Sequence, residues 1–159
     1  MEGMLMKQRR LFATLMLAAI AALAIAGPAS AAKLGVADQG GRLLTTTLTG
    51  AAEVPGPGDP DGTGSAAVTV NPGKGLVCYE LSVSGIATAT AAHIHEAPPN
   101  AAGPVVVTLT EVPFDSFSSG CVEVDRAEAK EILKNPADYY VNVHNAEFPL
   151  GALRGQLSK

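Results

Sequence analysis

From Arg42 onward the sequence is cut into short stretches that alternate apolar and polar residues, separated by Gly, Pro, Asn and Asp. Alternation with period two marks a half-buried strand, and links this short leave no room for repeated helical crossovers between parallel strands. The clearest stretch is "LVCYELSVSG" (76–85). Val77, Tyr79, Leu81 and Val83 share one face, while Cys78, Glu80 and Ser82 share the other. "RLLTTTLTG" (42–50) sets Leu44, Thr46 and Leu48 against three threonines, and "SAAVTVN" (65–71) groups Ala66, Val68 and Val70. The stretch 86–96 follows, then "VVVTLTEV" (105–112) with Val105, Val107 and Leu109 inward, and "GCVEVD" (120–125) with Val122 and Val124 inward. "YYVNVHN" (139–145), with Tyr139, Val141 and Val143 inward, and "GALRGQL" (151–157) complete the set. One helix is expected over "DRAEAKEILKN", with Asp125 as N-cap, Glu128 three residues on, and an apolar stripe of Ala127, Ile132 and Leu133. Asn135-Pro136 ends it. The expected fold is all-β: an antiparallel Greek-key β-sandwich or flattened barrel of about eight strands.

The first residues read differently. Lys7, Arg9 and Arg10 precede an apolar run from Leu11 to Ala26, and Gly27-Pro28 and "ASA" at Ala29–Ala31 follow it. This is the layout of a secretory signal peptide, shorter than a membrane span and followed at once by a cleavage pattern. The expected organisation is a signal peptide at 1–31, a loose polar lead at 32–43 and one domain at 44–157. Cleavage after Ala31 removes three of the 11 basic residues and one of the 15 acids, leaving 8 and 14 and a formal net charge of −6. Such a chain has no basic patch for nucleic acid or an anionic membrane surface. Its expected location is secreted or periplasmic, with no stable membrane insertion after cleavage. In an oxidising compartment the two cysteines, Cys78 and Cys121, are expected to pair across the polar face of neighbouring strands.

The chemistry-bearing residues lie in "AAHIHEAPPNAAGPVVV" (91–107). His93 and His95 are two apart in a strand and share a face, opposite Ile94. His144 has the same parity, since Val141 and Val143 point inward. All three histidines of the chain therefore fall on outer faces, and they converge if the two strands are neighbours. Three neutral imidazoles suit copper, expected as Cu(II), with zinc as the alternative, and binding is expected to weaken as pH falls through about 6.5. Glu96 and Asn142 are candidates to support the ligands from behind. The loop "APPNAAG" is placed to cover the site. No Gly-x-Ser-x-Gly elbow occurs, so no residue is assigned a catalytic role.

"LTGAAEVPG", "GSAAVTVNP", "AAHIHEAPPNAAGPVVVTL" and "YYVNVHNAEFPLGALRGQL" together resemble the CHRD domain, named after chordin, over residues 44–157. The resemblance implies an extracellular β-sandwich module and no settled activity. A second likeness is to copper–zinc superoxide dismutase, whose copper ligands include a His-x-His pair followed by Glu, as at His93, His95 and Glu96. A fourth copper histidine and the zinc-holding His/Asp cluster are absent from this sequence. Three functions follow as expectations: a binding module holding copper through a surface histidine cluster, a dismutase-like copper redox enzyme, or a structural or adhesive protein without metal chemistry. Its partner would be a metal ion or an extracytoplasmic protein.

Overall fold

A computed structural model describes residues 39–113 and 115–159. The expected signal peptide at 1–31, and residues 32–38 of the lead, lie outside the described residues. Eight strands form: β1 (Arg42–Thr49), β2 (Thr63–Asn71), β3 (Leu76–Ser84), β4 (Ala89–Glu96), β5 (Val105–Leu109), β6 (Phe117–Glu123), β7 (Tyr139–Asn145) and β8 (Leu153–Gln156). The helix α1 (Arg126–Lys134) lies between β6 and β7. All pairings are antiparallel, in the order β5-β4-β7-β8-β1-β2-β3-β6. The two end strands face each other over a cleft of about 700 Å³, lined by Val106–Thr108 on one side and Cys121–Val124 on the other. The sheet is thus a nearly closed barrel, and the β3–β4 and β6–β7 links each pass over two strands in Greek-key fashion.

The alternation read in the sequence fills this barrel. Leu44, Leu48, Val68, Val70, Val77, Tyr79, Leu81, Ile94, Val141 and Val143 are all at or near zero exposure. Burying each aliphatic side chain contributes roughly 1.5–3 kcal/mol. Tyr79 keeps its polar end satisfied by accepting the Glu111 N–H at 2.7 Å, as a buried phenol requires. Cys78 and Cys121 are directly opposed in the β3–β6 register and form the expected disulfide.

Three expectations need correcting. Val105 is 46% exposed rather than inward. The β4–β5 register shifts between Ile94 and His95, and such an irregularity re-aims the residue that follows it. On α1 the buried residues are Ala129 and Ile132, while Ala127 is exposed. Asp125 does cap the helix, accepting the Ala127 N–H at 2.7 Å. Glu128 makes no hydrogen bond back to the helix start and so no capping box; its carboxyl lies near the phenol of Tyr139.

Candidate metal centre

The outer faces of β4, β7 and β8 form one continuous polar patch. The register places His93 opposite Asn142 and Asn142 opposite Arg154. His95 is opposite Tyr140 and Tyr140 opposite Gln156. His144 lies opposite Ala91, two pairs along from His93 and on the same face. Because β4 and β7 are neighbours, the parity argument holds, and one ring nitrogen from each histidine lies within 4.8 Å of the others. Metal–nitrogen bonds of about 2 Å set ligand atoms roughly 3.3–3.6 Å apart, so the widest separation must close by about an ångström around an ion.

The patch is not the surface cluster the sequence suggests. Tyr140, Asn142 and Arg154 are 1–3% exposed and His95 is 9% exposed. Three loops cover it. The 97–104 loop is pinned by β8: Arg154 Nη2 donates to the Pro98 carbonyl at 2.9 Å and Gln156 Nε2 to the Ala97 carbonyl at 2.6 Å. Between these two donors stands Gly155, where a Cβ would collide with the Thr47 carbonyl of β1. The Arg-Gly-Gln order therefore has a mechanical reason: two outward arms and a flat inward position. The loop after β7 is shaped by Asn145, whose side-chain oxygen accepts the N–H groups of Glu147 and Phe148 at 3.1 and 2.7 Å. The loop after β1 carries Glu53, whose carboxylate accepts Asn142 Nδ2 at 2.6 Å. Gly151, at φ +149°, leaves the space that this carboxylate occupies.

These loops set the tautomers of the histidines. His95 Nδ1 lies 2.9 Å from the Gly103 carbonyl. A carbonyl only accepts, so Nδ1 carries the hydrogen and Nε2 keeps a free lone pair. That Nε2 is buried and has no hydrogen-bond partner. The N–H of the same residue, Gly103, donates to the Tyr140 hydroxyl at 3.2 Å, and the Tyr140 ring stacks on His95 with centroids 4.8 Å apart. His144 Nδ1 donates likewise to the Pro149 carbonyl at 3.2 Å, which makes its Nε2 an acceptor. His93 Nδ1 lies 3.1 Å from that Nε2 and is therefore the donor between them. A metal would take the place of this shared hydrogen, with His93 moving its proton to the far ring nitrogen.

Burial, together with the neighbouring His144 and His95, pushes His93 down to about 4. Burial lowers His95 and His144 as well, against the opposing effect of their carbonyl hydrogen bonds. All three rings therefore stay neutral below the pH of about 6.5 expected for free imidazoles. Glu53 moves the other way. Burial raises its carboxyl to about 7, opposed by the Asn142 hydrogen bond and the Arg154 charge.

Of the two residues proposed to support the ligands, Asn142 sits beneath them, between His93 and Arg154 in the register. Glu96 is exposed and turned away, alternating with His95; its charge is felt at Glu128 and Tyr139 instead. Sequence reasoning left out Glu53, Tyr140 and the Gly103 and Pro149 carbonyls. Tyr140 shares the parity of Asn142 and His144, a signal that was present. Glu53 comes from a distant loop and gives no such signal.

The CHRD domain family model matches residues 44–157, which is nearly all of the described chain and includes all three histidines, the pinned loop and the Arg-Gly-Gln strand. No curated protein and no solved structure matches the chain. No helix among the described residues is long and apolar enough to cross a membrane. With its disulfide and its eight antiparallel strands, the molecule is a β-barrel module of the extracellular type, and it belongs to the CHRD domain family.

Proposed function

We propose that this chain is an exported CHRD module that binds a copper ion through His93, His95 and His144. The observation that carries the reading is the buried, unpartnered Nε2 of His95 beside two further imidazoles. Burying a polar atom without a partner costs about 1–3 kcal/mol, and an ion at that point removes the cost. The second ring nitrogen of His95 and of His144 is held by a loop carbonyl, the arrangement that orients metal-ligating histidines. Imidazole nitrogen suits copper, and among divalent ions copper has a higher intrinsic affinity than zinc for such donors. Export rests on the basic, apolar and small-residue layout of residues 1–31 and on the disulfide.

The test is the metal content of protein purified from its native compartment, followed by titration of the metal-free protein. About one copper per chain is expected, with the His93→Ala/His95→Ala/His144→Ala variant losing at least about a hundredfold in affinity, as loss of all ligands requires. A triple variant that binds copper as tightly as the parent overturns the reading. Zinc in place of copper corrects the ion and keeps the site. Absence of metal, with partner binding intact in the triple variant, favours a structural or adhesive protein.

A further inference from the structure

We propose that Arg154 makes the three-histidine site selective for monovalent copper, by holding a buried positive charge, with no ion pair of its own, against the ligands through the ring of Tyr140. The inference rests on the copper reading above and goes further, assigning the oxidation state and the residue that sets it. Arg154 is 1% exposed. Its guanidinium carbon lies 3.5 Å from the centroid of Tyr140, the ring that stacks on His95 with an interplanar angle of 8°. Nη2 reaches the Pro98 carbonyl, while Nη1 is buried without a partner. Among the described residues Arg154 makes no ion pair. Glu53, in the same layer, hydrogen bonds Asn142 and feels the Arg154 charge without forming an ion pair with it.

Two physical arguments then favour the lower charge. Three neutral imidazoles bring no negative charge, so a bound Cu(I) leaves the site at +1 and a bound Cu(II) or Zn(II) leaves it at +2. A fixed cation nearby opposes the divalent ion twice as strongly, and burial limits the screening that would blunt this. The second argument is the ligand count. The cluster holds three histidines and no carboxylate or thiolate, and all four methionines of the chain precede residue 17, outside the described residues. Cu(II) prefers a tetragonal set with more donors. Cu(I), with a filled d shell, has no such demand and accepts three nitrogens.

The experiment uses the full chain and measures affinities for Cu(I) and Cu(II) separately, each against a competing chelator of known strength. Cu(I) is expected to bind at least about tenfold more tightly than Cu(II), the scale of a unit charge acting across roughly 8 Å of partly screened protein. Tighter binding of Cu(II) overturns the inference. Arg154→Gln is expected to shift that ratio about tenfold toward Cu(II), which for a one-electron couple lowers the reduction potential by about 59 mV. Arg154→Lys keeps the charge and is expected to restore the parent ratio. Asn142→Asp sets a carboxylate beside an intact guanidinium and is expected to move the ratio in the same direction as Arg154→Gln. It decides the matter if Arg154→Gln does not fold. Copper binding with an unchanged ratio in both neutralising variants overturns the role of Arg154 and leaves the copper site standing. No binding of either ion by the parent overturns both.

Discussion

The outer face of this barrel is finished in two ways. Across β3 and β6 it is closed by the Cys78–Cys121 bond, with Glu123 beside it in water. Across β4, β7 and β8 the same face is roofed by three loops and lined with His95, Tyr140, Asn142 and Arg154, all buried. The first region is joined covalently and needs nothing further. The second leaves His95 Nε2, Asn142 Oδ1 and Arg154 Nη1 without partners. Unpaired buried polar atoms oppose folding, and they persist where a ligand or a mechanism uses them. The contrast separates a face built for stability from a face built for binding, and each half can be perturbed alone.

The largest effect is expected on the covalent side. The disulfide closes a loop with a sequence separation of 43 residues, which by chain entropy is worth about 4 kcal/mol. Cys78→Ser/Cys121→Ser should lower unfolding stability by about that amount, measured by urea denaturation. Copper affinity should not change, because no histidine touches either strand of that pair. A Cys variant with weakened copper binding would show that the two regions are coupled.

Next comes the ion itself. A ligand at a hundred times its Kd stabilises the folded state by about 2.7 kcal/mol when it does not bind the unfolded chain. Adding copper should raise the stability of the parent and of the cysteine variant alike, and leave the triple alanine variant unmoved. An equal gain in the triple variant would place the copper elsewhere.

Glu53 sharpens the comparison through pH. Its folded-state value of about 7 lies above the ordinary 4.5. The folded protein therefore holds this proton more tightly than the unfolded chain does. The stability that Glu53 contributes is present below about 4.5 and is lost as pH rises toward 7. Arg154 and Asn142 face the same carboxyl and oppose this loss without reversing it. Glu53→Gln mimics the protonated carboxyl and still accepts from Asn142. It should match the parent at pH 4 and exceed it by about 1–3 kcal/mol at pH 8. The difference between the two proteins isolates Glu53 from the histidines, whose lowered values act in the opposite direction. A gap that does not change with pH would remove Glu53 from this account.

How much of this was legible in the sequence follows from the same contrast. Strand parity alone places Cys78 opposite Tyr79 and His93 opposite Ile94, because side chains alternate strictly along a strand. It therefore predicts the disulfide and the convergence of the histidines once the strands are neighbours. Parity says nothing about what covers a face. The roof over His95 depends on Arg154 and Gln156 reaching carbonyls 56 and 59 residues away, and no local pattern encodes such a span. The misplaced Val105 has a similar origin, since a register shift at Ile94/His95 breaks the period on which the reading relied.

The smallest expected effect is a control at the start of α1, away from the histidine site. Asp125 accepts the Ala127 N–H at the start of α1, a helix that buries Ala129 and Ile132. Replacing an N-cap by alanine costs about 1 kcal/mol, because one of the helix's unpaired N–H groups then loses its partner. Asp125→Ala should lower stability by that amount in urea and leave copper affinity unchanged. Glu128 does not compensate, since its carboxyl makes no hydrogen bond to the helix start and lies near the buried Tyr139 phenol. Tyr139 and Tyr140 are adjacent on β7 but point to opposite faces, the first into the core beside α1 and the second toward His95. If loosening α1 did change copper affinity, the disturbance would have to pass from Tyr139 to Tyr140 through the β7 backbone. A thermal melt and a copper titration on this one variant therefore measure how far the barrel wall insulates the site from its own helix.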